Sequence, residues 1–196
     1  MKRESMNKTM LIAAMLMGGS FIATGASAEG WDGNINLMLG QKSLDSDWGE
    51  NDTQKAFGIQ FDFARSEWPV SLVVDLYGGG ESNGSGADKV EDVTGGLHLG
   101  VRKYWTVGSA GFTPFLGGGL ALLTAESTIG TGDDKETIED DEGAVGYWVG
   151  GGAKWIIGEH LNIGGEVRYS QAEVELDGTD LEAGGVYAGL LAGYHW

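Results

Sequence analysis

The three histidines, His98, His160 and His195, are the first residues to weigh for chemistry. No two of them stand at the spacing of a metal site such as H-E-x-x-H. The chain has no cysteine, which excludes thiolate nucleophiles, Cys-ligated zinc, iron–sulfur clusters and disulfide scaffolds. No nucleophile–base–acid set is visible. No catalytic, cofactor-binding or metal-ligating residue is expected, and the reading is non-enzymatic. Carboxylates are far more abundant. They gather in three stretches: Asp45, Asp47, Glu50 and Asp52; Asp133-Asp134-Lys135-Glu136 with Glu139-Asp140-Asp141-Glu142; and Glu175, Asp177, Asp180 and Glu182. Clustered carboxylates suit hard divalent cations such as calcium. The D-x-D-x-D-G loop is missing, so solvated, mutually repelling loops are the preferred reading. Twelve basic against 29 acidic residues give a net charge of −17, which argues against nucleic acid as a partner. The glycine runs Gly95-Gly96, Gly117-Gly118-Gly119, Gly150-Gly151-Gly152, Gly164-Gly165 and Gly184-Gly185 do not form a phosphate loop, because no G-x-x-x-x-G-K-[ST] pattern occurs.

The elements that carry these residues follow from periodicity. From Trp31 onward, apolar side chains recur at every second position, the period of a strand. The alternation predicts eight strands, near 31–43, 54–65, 69–78, 92–105, 112–126, 143–157, 161–174 and 183–196. The fifth is the least regular, because Phe115 and Leu123 lie opposite Leu116, Leu120 and Leu122. Thirty-six glycines and two prolines in 196 residues fit tightly curved strands better than helices. The connections after the odd strands, 44–53, 79–91, 127–142 and 175–182, are long and polar. Those after strands two, four and six are short. Alternating long and short links describe an up-and-down antiparallel sheet with every long loop at one end.

The first 28 residues read as a cleaved secretory signal peptide. Lys2, Arg3 and Lys8 precede the apolar run from Met10 to Met17, and Ala26-Ser27-Ala28 offers an A-x-A cleavage site. A single domain of residues 29–196 would remain, two charges more negative than the full chain.

Alternation alone leaves the outward face open, since a soluble barrel holding a small apolar ligand has the same period. Three features favour a lipid-facing exterior. Trp31, Trp68, Trp105, Trp155 and Trp196 all fall at the short-turn end, as an interfacial belt would. Tyr147, Tyr169 and Phe57 form a thinner second belt towards the long loops. The apolar faces carry almost no charge over the length of a tilted spanning strand, apart from Lys103 near a strand end, where it can snorkel. The chain also stops on the aromatic pair Tyr194 and Trp196.

With its leader, eight alternating strands, acidic outer loops and final strand Tyr187-Ala188-Gly189-Leu190-Leu191-Ala192-Gly193-Tyr194-His195-Trp196, the chain resembles the small eight-stranded outer-membrane β-barrels of Gram-negative bacteria. The barrel domain of outer membrane protein A and its porin-like relatives are of this kind. The resemblance implies an all-β fold: an eight-stranded antiparallel up-and-down transmembrane β-barrel in the cell outer membrane. It further implies that Ala192, Tyr194 and Trp196 form the signal read by the barrel assembly machinery. The surrounding partners would be outer-membrane lipids and lipopolysaccharide, whose phosphates calcium could bridge to the acidic loops. The expected role is structural or surface-exposed: envelope integrity, adhesion or recognition. The alternatives are a small porin-like channel for ions or small solutes, and the soluble periplasmic carrier.

An eight-stranded barrel has room inside only for side chains. By parity, Gln60, Asp62, Asp75, His98, Arg102, Lys154, Glu166 and Arg168 point inward. Isolated charges there would be costly, so a balanced ion-pair network plugging the lumen is expected, with Asp75, Arg102, Glu166 and Arg168 as members. A path that gates when pairs exchange is the alternative. Trp148, also inward, is expected over a glycine floor.

Overall fold

The computed structural model describes residues 30–44, 48, 52–108, 111–130, 136–139, 143–176 and 179–196. The expected leader and the acidic residues Asp45, Asp47, Glu50, Asp133, Asp134, Asp140, Asp141, Glu142 and Asp177 lie outside the described residues.

Eight long strands form the wall: β1 (Trp31–Ser43), β2 (Thr53–Arg65), β3 (Ser71–Asn83), β4 (Val90–Tyr104), β5 (Phe112–Ile129), β7 (Ala144–Ile157), β8 (Leu161–Gln171) and β11 (Gly185–His195). Three short strands lie beyond it: β6 (Glu136–Glu139), β9 (Glu173–Leu176) and β10 (Thr179–Glu182). Every wall strand pairs antiparallel with its two neighbours, in the order β4-β3-β2-β1-β11-β8-β7-β5, and β4 pairing with β5 closes the barrel. At the seam of first and last strands, Gly33 and Trp196 exchange both backbone hydrogen bonds at 3.1 Å. Closure leaves no open edge in the wall, which is what lets strands cross a bilayer.

Alternation assigns the faces correctly on all eight strands. Leu37, Leu39, Phe57, Leu116, Leu120, Val145, Val149, Val167 and Leu190 are exposed on the outside. Met38, Ala121, Leu123, Trp148, Arg168 and Leu191, of opposite parity, are buried inside. The fifth strand is as regular as the rest: Phe115 and Leu123 are simply inward residues that happen to be large and apolar.

The strand ends differ from expectation. β3 runs to Asn83 and β4 begins at Val90, so much of 79–91 is ladder, with Glu81 opposite Asp92 and Ser82 opposite Glu91. β5 continues to Ile129 and pairs with β6, and β9 pairs with β10 in a separate hairpin. Polar composition hid these extensions. A strand standing beyond the bilayer has water on its faces and does not need apolar residues at every second position.

Candidate functional site: a filled lumen

The lumen is where charged side chains from several wall strands converge. Arg102 on β4 reaches Asp62 on β2 at 2.6 Å and Asp75 on β3 at 3.3 Å, with Glu166 on β8 at 3.7 Å. Arg168 on β8 donates to the same Asp75 and to Glu166, each at 2.6 Å. Asp75 thus joins the two guanidinium groups. Gln60 donates to Glu166 at 2.8 Å and accepts from Asn36 at 3.0 Å. Tyr104 donates its hydroxyl to Asp62 at 2.7 Å. All five ionic groups are buried, and each faces an opposite charge, the condition under which such charges persist.

The structure therefore brings together Asp62, Asp75, Arg102, Glu166 and Arg168, with His98, inward by parity, beside them. Arg168 Nη1 lies 2.8 Å from His98 Nδ1. A guanidinium has only donors, so Nδ1 accepts and the ring proton sits on Nε2. The His98 ring stacks at 7° on Trp148, with centroids 5.5 Å apart. Arg168 and Arg102 lie over the same indole at 4.8 and 5.7 Å. Trp148 lies against Gly117, where a Cβ would stand 3.1 Å from the indole. Lys154 is not within salt-bridge range of a carboxylate in this cluster. Its ammonium lies 4.2 Å from the Tyr104 ring, a cation–π contact.

A second polar group near the long-loop end was missed by the sequence reading. Lys42 is fully buried and donates to the Ala183 carbonyl at 2.6 Å and to Thr94 at 3.1 Å. Thr94 donates to Gln54 at 2.7 Å. Lys42 shares the inward parity of Asn34, Asn36 and Met38, close to the end of β1. What covers it is the mouth itself. Leu44, Trp48, Ala172, Val174 and Ala183 are buried there in one apolar cluster with Tyr77, Leu123 and Trp148, and Leu181 packs against it. Trp48 donates its indole N–H to the Glu182 carbonyl at 2.8 Å.

Glu182 corrects one expectation. It belongs to no solvated acidic loop: its Oε1 accepts the Ala172 amide at 2.7 Å and the Gly184 amide at 2.8 Å, tying the base of the β9–β10 hairpin. Glu182→Ala should remove both bonds, at about 1–3 kcal/mol for the amides left unpaired. Amide hydrogen exchange at Ala172 and Gly184 should accelerate by an order of magnitude or more, while wall amides such as Leu190 keep their rates. Unchanged exchange at both would show that the carboxylate does not hold the hairpin.

The remaining sites lie at the short-turn end. Trp31 packs against Trp68 with centroids 5.6 Å apart, and Phe112 against Trp155 at 5.0 Å. Trp68, Trp105 and Trp155 are exposed. Tyr194 and Ala192 point outward on β11, and Trp196 lies over Gly33. Lys103 reaches back to the Pro69 carbonyl at 2.6 Å. His160 stacks on Tyr194 at 4.9 Å and its Nδ1 lies 3.0 Å from the His195 carbonyl, while His195 Nδ1 lies 3.0 Å from the Gly33 carbonyl. His98 is inside the lumen, so the three imidazoles do not form one site. Among the described residues, no three acidic or imidazole groups are placed to hold a metal ion.

The outer membrane protein beta-barrel domain matches the chain over residues 11–193. The chain belongs to that family. Among solved structures of the same fold, Neisserial surface protein A is 15% identical, with a TM-score of 0.51, covering 85% of this chain and 96% of its own. Ail, the attachment invasion locus protein of Yersinia pestis, crystallised with the heparin analogue sucrose octasulfate, is 12% identical with a TM-score of 0.58, covering 85% and 99%. No curated protein matches by sequence. Family membership puts this barrel in the outer membrane, with its greasy face to lipid. That overturns the soluble periplasmic carrier: its apolar ligand would require the apolar face inside, where the arginines and carboxylates are.

Proposed function

We propose that this protein is a closed, non-enzymatic barrel that anchors a surface-exposed structure in the outer membrane. Its working part is the ring of strand extensions and connections at the long-loop end. The observation that carries the reading is the filling of the lumen in two successive layers: an ion-pair network braced by Trp148, and an apolar seal of Trp48, Val174, Leu181 and Ala183 at the mouth. Adhesion or recognition fits a barrel built this way, and attachment is what the Ail protein is named for. The charge differs from what a sulfated ligand would want. External Lys55 already faces Glu81 at 3.3 Å and Lys89 faces Glu91 at 3.0 Å, on a chain of net charge −17. A cationic partner, or lipopolysaccharide phosphate bridged by divalent cations, suits this surface better than a polyanion. Delivery to the membrane would use the signal peptide, and insertion would use Ala192, Tyr194 and Trp196 as the strand presented to the assembly machinery. The outward tryptophans would sit at the inner interface.

Planar-bilayer recording tests the reading. The refolded wild-type barrel should produce no stable stepwise openings. Steady openings whose conductance Glu166→Ala alters would establish the porin-like channel in its place.

A further inference from the structure

The outside of the barrel is not evenly greasy. A notch of about 400 Å³ is cut into its wall where β3, β4, β5 and β7 meet the long-loop end. Its rim is one row of outward side chains in continuous register: Leu76 opposite Leu97, Leu97 opposite Leu122, and Leu122 opposite Val145. The next row outward lacks bulk. There Gly78 stands opposite Gly95, and Gly95 opposite Thr124. Gly95, Thr124 and Gly143 line the depression.

The glycines of this row differ from most glycines in the wall. At Gly40, Gly100, Gly119 and Gly152 an added Cβ would collide with the backbone of the adjacent strand, so tight curvature requires glycine. At Gly95 an added Cβ would meet only Thr124 Oγ1 and the Tyr77 carbonyl, both at 3.7 Å, and at Gly78 only the Thr94 carbonyl at 3.7 Å. Neither has a positive φ. Backbone geometry therefore admits a side chain at both positions, and at Gly95 what it would occupy is the notch.

Position decides what can fill it. Leu97 is eight residues along β4 from Trp105 at the inner belt. At about 3.3 Å per residue and a tilt of about 40°, that is roughly 20 Å along the membrane normal, in the outer part of an apolar band about 25 Å tall. The notch opens sideways from this band into the outer leaflet, whose lipid is lipopolysaccharide. Its lining is aliphatic, with the Thr124 hydroxyl its one polar side-chain group. An acyl chain lies flat in such a depression, whereas a void against lipid would forfeit dispersion contacts. No side chain of that lining is charged, so affinity at the notch comes from the hydrocarbon.

We propose that this notch is a binding site for one acyl chain of lipid A, seated over Gly95 between Leu97, Leu122 and Val145. The proposal stands apart from whether the lumen conducts.

The test is native mass spectrometry of the refolded full-length barrel, released from detergent containing hexa-acyl lipid A. The wild type should keep one lipid A at activation energies that strip the micelle. Gly95→Leu should fill the notch and lower the retained fraction about tenfold. Both proteins should show the same heat-dependent mobility shift in SDS. Gly165→Leu, on β8 at another outward glycine that has ordinary contacts and does not line the notch, should keep the lipid. The proposal is overturned if the wild type retains no lipid, if Gly95→Leu retains as much, or if Gly165→Leu loses as much. Equal retention of a phospholipid with chains of the same length overturns the assignment to lipid A. A dimer of barrels that Gly95→Leu abolishes assigns the face to a second copy instead.

Discussion

Arg168→Met should lower the unfolding free energy of the barrel by about 3–5 kcal/mol, the range for removing one partner of a buried ion pair. The side chain makes four polar contacts: Asp75 at 2.6 Å, Glu166 through Nη2 at 2.6 Å and Nε at 2.8 Å, and His98 at 2.8 Å. Methionine retains much of the aliphatic stem but leaves Asp75 dependent on Arg102 at 3.3 Å and Glu166 on Gln60 and a 3.7 Å contact. Two carboxylates would then share too little positive charge in a space with no room for bulk water. The measurement is urea unfolding in lipid vesicles, scored by the mobility of unheated samples in SDS. A loss below about 1 kcal/mol, the scale of a solvated surface pair, would mean that water reaches the network and that the lumen is not sealed. The companion change Asp75→Asn keeps the shape and removes the charge. It should also destabilise, because both guanidinium groups lose their shared counter-charge.

Gly119→Val should prevent closure or cost about 3 kcal/mol, at the upper end of what overpacking costs. Gly119 sits opposite Gly100 where β4 meets β5. Its added Cβ would collide with the Leu99 carbonyl oxygen and approach the Gly100 Cα to 2.5 Å. Both obstacles are backbone, so no rotamer change relieves them, and the seam would have to move. The heat-modifiable band should be lost, or the urea midpoint should fall sharply. Gly95→Leu adds a larger side chain on the neighbouring strand β4, yet it should fold normally, because its surroundings are open. Wild-type stability for Gly119→Val, within about 0.5 kcal/mol, would show that curvature at this seam does not depend on glycine.

Much of the barrel could be written down from alternation. A period of two is a local property: each strand states which side chains share a face, and eight such statements separate Leu37, Val145 and Leu190 from Asp62, Asp75, Arg102 and Arg168 without any knowledge of pairing. The balance of inward charges follows from the same parity, as does the inward Trp148. Family likeness then added what alternation lacks, the choice of lipid outside rather than water.

Three things required the folded chain. Which carboxylate meets which arginine depends on the stagger of neighbouring strands, so Asp62, Asp75 and Glu166, far apart in sequence, converge on Arg102 only after closure. The mouth was opaque because its parts belong to different connections: Trp48 follows β1, while Val174, Leu181 and Glu182 come from the hairpin before β11, and nothing local says they touch. Strand length beyond the bilayer was hidden for a related reason. Apolar alternation marks where a strand meets lipid, and it fades when both faces meet water although the hydrogen-bond ladder continues. Local pattern was enough for the two faces of the wall and for the arginines and carboxylates of the central network, though not for Lys42. The pairings, the seal and the notch came from the closed barrel, because each depends on the register between strands, which alternation along one strand does not encode.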